Sequence, residues 1–79
     1  MNKIRIFSTP SCPYCVTLKE FLKQYDFEFE DINVATDAQA REEMITKSQQ
    51  VGVPVIEIDG QMIVGFDKKK IVQLLNIKE

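Results

Sequence analysis

Ile4-Arg5-Ile6-Phe7-Ser8-Thr9-Pro10-Ser11-Cys12-Pro13-Tyr14-Cys15-Val16-Thr17-Leu18 changes its hydrophobic pattern part-way along, and that change decides the fold. Ile4, Ile6 and Phe7 form a short apolar run ended by Ser8-Thr9-Pro10, which reads as a buried strand. Pro13 suits the first turn of a helix, where its missing N–H costs nothing. Beyond it, Leu18, Phe21, Leu22 and Tyr25 recur at i, i+3, i+4 and i+7, the apolar stripe of an amphipathic helix. Lys19, Glu20 and Lys23 fall off that stripe. The segment therefore predicts strand, turn and helix, with Cys12 and Cys15 at the junction.

Working outward, Phe27-Glu28-Phe29-Glu30-Asp31-Ile32 alternates over its first four residues and predicts a second strand. Thr36-x-x-Gln39 has the form of a capping box, and Asp37 favours the same helix start. Ala40, Met44 and Ile45 give that helix a narrow apolar face, so it is expected at the periphery. Val51 to Ile58 is a β-branched run interrupted by Pro54. Asp59-Gly60 is a hairpin turn signal, and Met62-Ile63-Val64 makes the return strand. From Asp67, a plausible helix N-cap, Ile71, Leu74 and Leu75 predict a short third helix ending near Asn76. The order β-α-β-α-β-β-α predicts one α/β domain over residues 1–79, a sheet flanked by helices.

Composition narrows the function. A chain of 79 residues buries roughly 63% of its surface on folding, enough for one thin core. With 44% apolar and 28% charged residues, three Gly and three Pro, it is neither disordered nor of low complexity. A net charge of -2 argues against a nucleic-acid protein. The absence of His removes Ser–His and Cys–His nucleophile pairs and the usual zinc enzyme sites. The N-terminus lacks the apolar block of a signal peptide, and no stretch approaches a membrane span of about 20 residues. The expectation is a chain in a reducing cytoplasm, with no membrane partner.

Only two cysteines are present, three apart. Thiol–disulfide exchange needs a thiolate nucleophile and, in its two-cysteine form, a second thiol to displace it. A C-x-x-C opening a helix supplies both, because the helix N-terminus favours negative charge on Cys12 and sets Cys15 one turn further in. Such a motif beside a βαβ pattern reads as thioredoxin-like redox chemistry. Three plainer readings stand beside it. Half a zinc site would need further ligands that this chain lacks as Cys or His. A purely structural disulfide closing so small a loop removes little unfolded-state entropy. Two merely buried cysteines fit poorly with Pro10 and Pro13, which mark a loop-to-helix junction.

Cys12-Pro13-Tyr14-Cys15 after a first strand resembles the active-site motif of dithiol glutaredoxins, and the likeness runs over essentially the whole chain. Arg41-Glu42-Glu43-Met44 is similar to a stretch of bacterial glutaredoxins. Val53-Pro54 stands where the family has Val and a cis-proline, and Val64-Gly65-Phe66-Asp67 where it has a Gly-Gly loop opening the last helix. The resemblance implies a thioredoxin fold with a central four-stranded mixed sheet and three helices. It also implies reduction of protein disulfides and glutathione mixed disulfides. In that reading Cys12 is the nucleophile and Cys15 the resolving thiol. Val53 and Pro54 orient the substrate, and Tyr14, Gly65, Phe66 and Asp67 complete the groove. Pro54 has a local reading too: without an N–H it ends strand pairing and leaves the Val53 backbone free for an extended partner. No tightly bound metal or nucleotide is implied; glutathione is the reducing cosubstrate of a monomer.

The chain departs from the family pattern at Thr9 (usually Lys), Gly52 (usually Thr), Val64 (usually Gly) and Lys68 (usually Asp). Gln50 falls near a position that contacts the glycyl carboxylate. These departures bring it nearer to redoxins recharged by thioredoxin reductase, including those that feed ribonucleotide reductase. A further implication of the family is an iron–sulfur scaffold, in which two protomers each offer Cys12 with glutathione completing the ligands; members in that role tend to lack the Pro-Tyr pair. Lys68-Lys69-Lys70 sits against the dipole at a helix start, either as a solvated run or as a positive rim for carboxylates.

Overall fold

The computed structural model describes residues 3–78. Its elements are β1 (Ile4–Ser8), α1 (Pro13–Gln24), β2 (Glu30–Asn33), α2 (Ala38–Ser48), β3 (Val55–Ile58), β4 (Gln61–Val64) and α3 (Lys68–Leu75). The four strands form one mixed sheet in the order β2-β1-β3-β4, parallel between β1 and β2 and antiparallel elsewhere. This is the expected thioredoxin-type arrangement. Ile32, Phe7, Val55 and Val64 lie in one row across the sheet. The loops after β1, before β3 and after β4 therefore emerge at the same end.

Alternation along the strands divides the core into two layers. Ile4, Ile6, Ile56, Ile58 and Ile63 pack against Leu18, Leu22, Ile71 and Leu75, which seats α1 and α3 on one face. Phe7 and Val55 face the other way, onto Val34 and Met44. Met44 is the single fully buried residue of α2, in keeping with the narrow face read from its sequence. Truncating Leu18 or Ile6 to Ala would cost about 2–5 kcal/mol, because neither has any exposure to lose.

Two sequence expectations shift. The second strand begins at Glu30 rather than Phe27, since pairing with β1 starts only at Arg5 opposite Glu30. Phe27 and Phe29 still lean on the α1/α3 core, which produces the alternation without the ladder. The start of α2 is capped by Asp37, whose Oδ1 accepts from Ala40 N at 3.0 Å, and not by Thr36. Asn33 accounts for this: its Oδ1 accepts from Ala35 N–H and its carbonyl from the Thr36 hydroxyl, so Thr36 belongs to the preceding turn. The Asp59-Gly60 hairpin has positive φ at both residues, as a tight turn of strand-matching twist requires.

Candidate active site

Cys12 is the N-cap of α1. Its backbone is extended, and its Sγ accepts from Cys15 N–H at 3.1 Å, the role usually taken by a Ser, Thr or Asp oxygen. Pro13 occupies the first helical turn, and Cys12 N–H closes the preceding turn onto Thr9 carbonyl. Cys12 and Cys15 are joined as a disulfide, with Cα atoms 5.2 Å apart. Cys12 retains 9% exposure while Cys15 has none. Cys12 is thus the more accessible sulfur of the pair and Cys15 the enclosed one. Once the bond is reduced, the Cys15 N–H and the helix N-terminus both stabilise negative charge on Cys12.

The Val53–Pro54 peptide is cis. Pro54 is buried and its carbonyl accepts from Gly65 N–H at 2.8 Å, tying the loop before β3 to the loop after β4. Gly65 has a φ of 76°, a value that favours Gly over any side chain. Among the described residues, neither the N–H nor the carbonyl of Val53 has a hydrogen-bond partner. The Val53 main chain is therefore unpaired, on a loop at the same end of the sheet as the dithiol.

The remaining site residues divide. Tyr14 stands fully out from the first turn of α1, 68% exposed, beside Cys12. Phe66 turns its ring edge-on to Phe21, at 5.6 Å between centroids, and packs against the α1/α3 core. Asp67 caps α3, with Oδ1 accepting from Lys70 N–H at 3.3 Å. Lys68 sets its ammonium over the Phe21 ring at 5.7 Å. Gln50 is engaged inside its own loop: its amide accepts from Gly52 N–H at 2.6 Å and donates to Gly52 carbonyl at 3.0 Å. A Cβ at Gly52 would meet the Gln50 Oε1 at 3.0 Å, so this clamp and the Gly belong together. Sequence reading missed the clamp; the i, i+2 spacing of Gln and Gly beside a buried Pro is its only signal.

Two ionic networks also escaped the sequence. Arg5 on β1 pairs with its cross-strand neighbour Glu57 and, at 2.6 Å, with Glu43 of α2. Lys47 bridges the same two carboxylates at 2.9 and 3.3 Å. The Arg5 and Lys47 hydrogen bonds hold the Glu43 carboxyl down at about 2. Burial pushes Glu57 up, but its bonds to Arg5 and Lys47 outweigh this and leave it lowered. Asp31 is likewise pushed up by burial, yet bonds from Lys19 at 2.8 Å and the Ser8 hydroxyl at 2.9 Å leave it lowered.

The family model for glutaredoxin matches residues 4–63 of this chain. The chain belongs to the glutaredoxin family. A glutaredoxin-like 8.6 kDa protein encoded in a rubredoxin operon of Clostridium pasteurianum is 54% identical over 72 residues, covering 91% of this chain and 96% of that one. Glutaredoxin 3 of Escherichia coli K12 is 37% identical over 67 residues, 85% of this chain and 81% of that one. Among solved structures, a mutant of the thioredoxin-like protein BC3987 superposes with a TM-score of 0.91 at 40% identity, covering 99% and 100% of the two chains. This glutaredoxin thus carries its family's C-x-x-C pair, as a redox-active disulfide at a helix start.

Proposed function

We propose that this glutaredoxin is a dithiol oxidoreductase that reduces protein disulfides and glutathione mixed disulfides, recharged by glutathione, as a cytoplasmic monomer. The observation that carries the reading is the Cys12–Cys15 pair at the N-cap of α1, one residue retaining 9% exposure and the other none. The reduced Cys12 thiolate attacks one sulfur of the substrate disulfide. That S–S bond breaks, a Cys12–substrate disulfide forms, and the departing thiolate takes a proton. Cys15, as thiolate, then attacks the Cys12 sulfur; the Cys12–Cys15 bond forms and the second substrate thiolate leaves and is protonated. The substrate gains two electrons and two protons, and the dithiol loses them. Two glutathione molecules reverse the last change, becoming glutathione disulfide. No tightly bound metal or nucleotide enters the cycle.

A second reading, recharging by thioredoxin reductase, draws support from the scarcity of charge near the pair. Thr9, Gly52 and Val64 supply no ion for a carboxylate or ammonium, and Asp67 and Gln50 are engaged in their own loops. The deciding experiment supplies one disulfide substrate with either glutathione and glutathione reductase, or thioredoxin reductase, each with NADPH. Turnover with glutathione is expected; turnover with thioredoxin reductase alone overturns glutathione as the reductant.

A further inference from the structure

Among the described residues, the buried polar side chains are Ser8 and Glu57. Glu57 is answered by Arg5 and Lys47. Ser8 belongs to a second cluster, one that the disulfide cycle leaves idle. Its hydroxyl donates to Asp31 Oδ1 at 2.9 Å, and Lys19 Nζ meets Asp31 Oδ2 at 2.8 Å. The cluster joins the end of β1, the middle of β2 and the second turn of α1. Alternation places it beside Cys15. Ser8 follows Ile4 and Ile6 at every second position, so it shares the face that α1 covers. β1 runs toward the dithiol end and α1 returns from it. The row Ser8, Ile6, Ile4 on the strand therefore faces the row Cys15, Leu18, Leu22 on the helix. Asp31 pairs in register with Ile6 and turns to the same face. Lys19 follows Cys15 by four residues, on the same side of α1.

We propose that Lys19 and Asp31 are positioning residues for the enclosed thiol: a balanced charge pair, held to β1 by Ser8, that sets when Cys15 gives up its proton. The inference rests on the dithiol reading above and concerns its second step. There Cys15 loses its proton to water, its sulfur attacks Cys12, and the substrate thiolate leaves. A carboxylate beside a thiol disfavours the thiolate, and an ammonium favours it. The Ser8 and Lys19 bonds keep Asp31 ionised at neutral pH despite its burial. Asp31 alone would hold Cys15 protonated after the mixed disulfide has formed. Lys19 alone would ionise Cys15 early, in competition with Cys12. The surrounding charges do not upset this balance. Lys23 acts on Asp31 as a further cation. Asp67 and Lys68, at the start of α3, are engaged with Lys70 N–H and the Phe21 ring. Arg5, Glu30 and Glu57 share one row on the opposite face of the sheet. The Asp31 side chain is 48% exposed, so water reduces the effect of either charge on Cys15 to about half a pH unit.

The test separates the two steps in protein reduced by dithiothreitol, desalted under argon and mixed in stopped flow with dithiobis(nitrobenzoic acid). The first nitrothiobenzoate leaves at a rate proportional to the reagent, as Cys12 attacks. The second leaves at a rate independent of the reagent, as Cys15 closes the Cys12–Cys15 bond. The pH midpoint of the second rate reports Cys15. In Asp31→Asn, which keeps an acceptor for Ser8, that midpoint is expected about half a unit below the parent's. In Lys19→Gln it is expected about half a unit above, and in the double variant at the parent's value. A merely structural pair would not give shifts of opposite sign. Single variants that shift together or not at all, or a double variant that fails to return, overturn the proposal and leave the dithiol reading intact. Should Asp31→Asn not fold, Lys19→Gln and Lys19→Glu decide by themselves, and no upward shift in either overturns the proposal. A reduced, folded parent that releases only one nitrothiobenzoate overturns both readings.

Discussion

Cys12 caps α1 through Cys15 N–H, and in the proposed cycle the same sulfur meets the substrate. Substitutions there can therefore separate chemistry from folding. Cys12→Ser keeps a good N-cap acceptor, whereas Cys12→Ala loses it at about 1 kcal/mol. Compared with the reduced parent, the Ser variant is expected to unfold at nearly the same urea concentration and the Ala variant earlier. Both should lose every disulfide-reducing activity, because a hydroxyl is not ionised at neutral pH. Cys15→Ser is expected to behave differently. It removes the internal attack that expels a large protein partner from Cys12, so reduction of protein disulfides should fail. Removal of glutathione from mixed disulfides should persist, since a second glutathione can release the first from Cys12. Loss of both activities in a folded Cys15→Ser protein would mark an obligate two-cysteine reductant.

At the scale of elements, α3 opens with three lysines against its dipole, so its start depends on Asp67. Asp67→Ala is expected to lower stability by about 1 kcal/mol, and Asp67→Asn by only a few tenths, because Asn caps as well as Asp. Urea midpoints of the two variants give the answer directly; equal losses would mean that the carboxylate charge, not the cap, holds α3. This element was legible beforehand, with Asp67 and Asn76 both at its ends. So was the β1–α1 junction, where the period of the apolar residues changes at the cysteines. The elements misread were those whose local signals are reused by tertiary packing. Phe27 and Phe29 mimic a strand by facing the core before pairing begins, and Thr36 mimics a cap while serving the Asn33 turn. The placement of Cys12 and Cys15 at the start of α1, and of Pro54 just before β3, was readable because each has a backbone consequence nearby. The occupation of Phe66 by Phe21 and of Gln50 by Gly52 depends on rotamers that spacing does not convey.

Across the whole molecule, charge is segregated. Residues 9–18, 48–56 and 62–66 carry none, while the sheet face under α2 carries Arg5, Lys47, Glu43 and Glu57 in one network joining β1, β3 and α2. No sequence pattern announces it, because Arg5 lies 38 residues from Glu43 and 52 from Glu57. Its consequence is a pH dependence of folding set away from the cysteines. Glu43 has an ordinary value of 4.5 and is held at about 2 in the folded chain, chiefly by Arg5; Glu57 and Asp31 are lowered as well. Below 4.5 the unfolded chain takes up these protons before the folded one does, so acid favours unfolding. Their contribution is complete above the ordinary carboxyl range and disappears as pH falls through the lowered values. The urea midpoint of the oxidised protein is therefore expected to stay level from about pH 7 to pH 5, then to drop steadily toward pH 2. Glu43→Gln should lower the plateau and flatten the drop, because the paired carboxylate with the deepest shift is gone. A parent protein whose midpoint does not change between pH 5 and 2, or a Glu43→Gln variant with the parent's slope, would show that the network does not couple folding to protons.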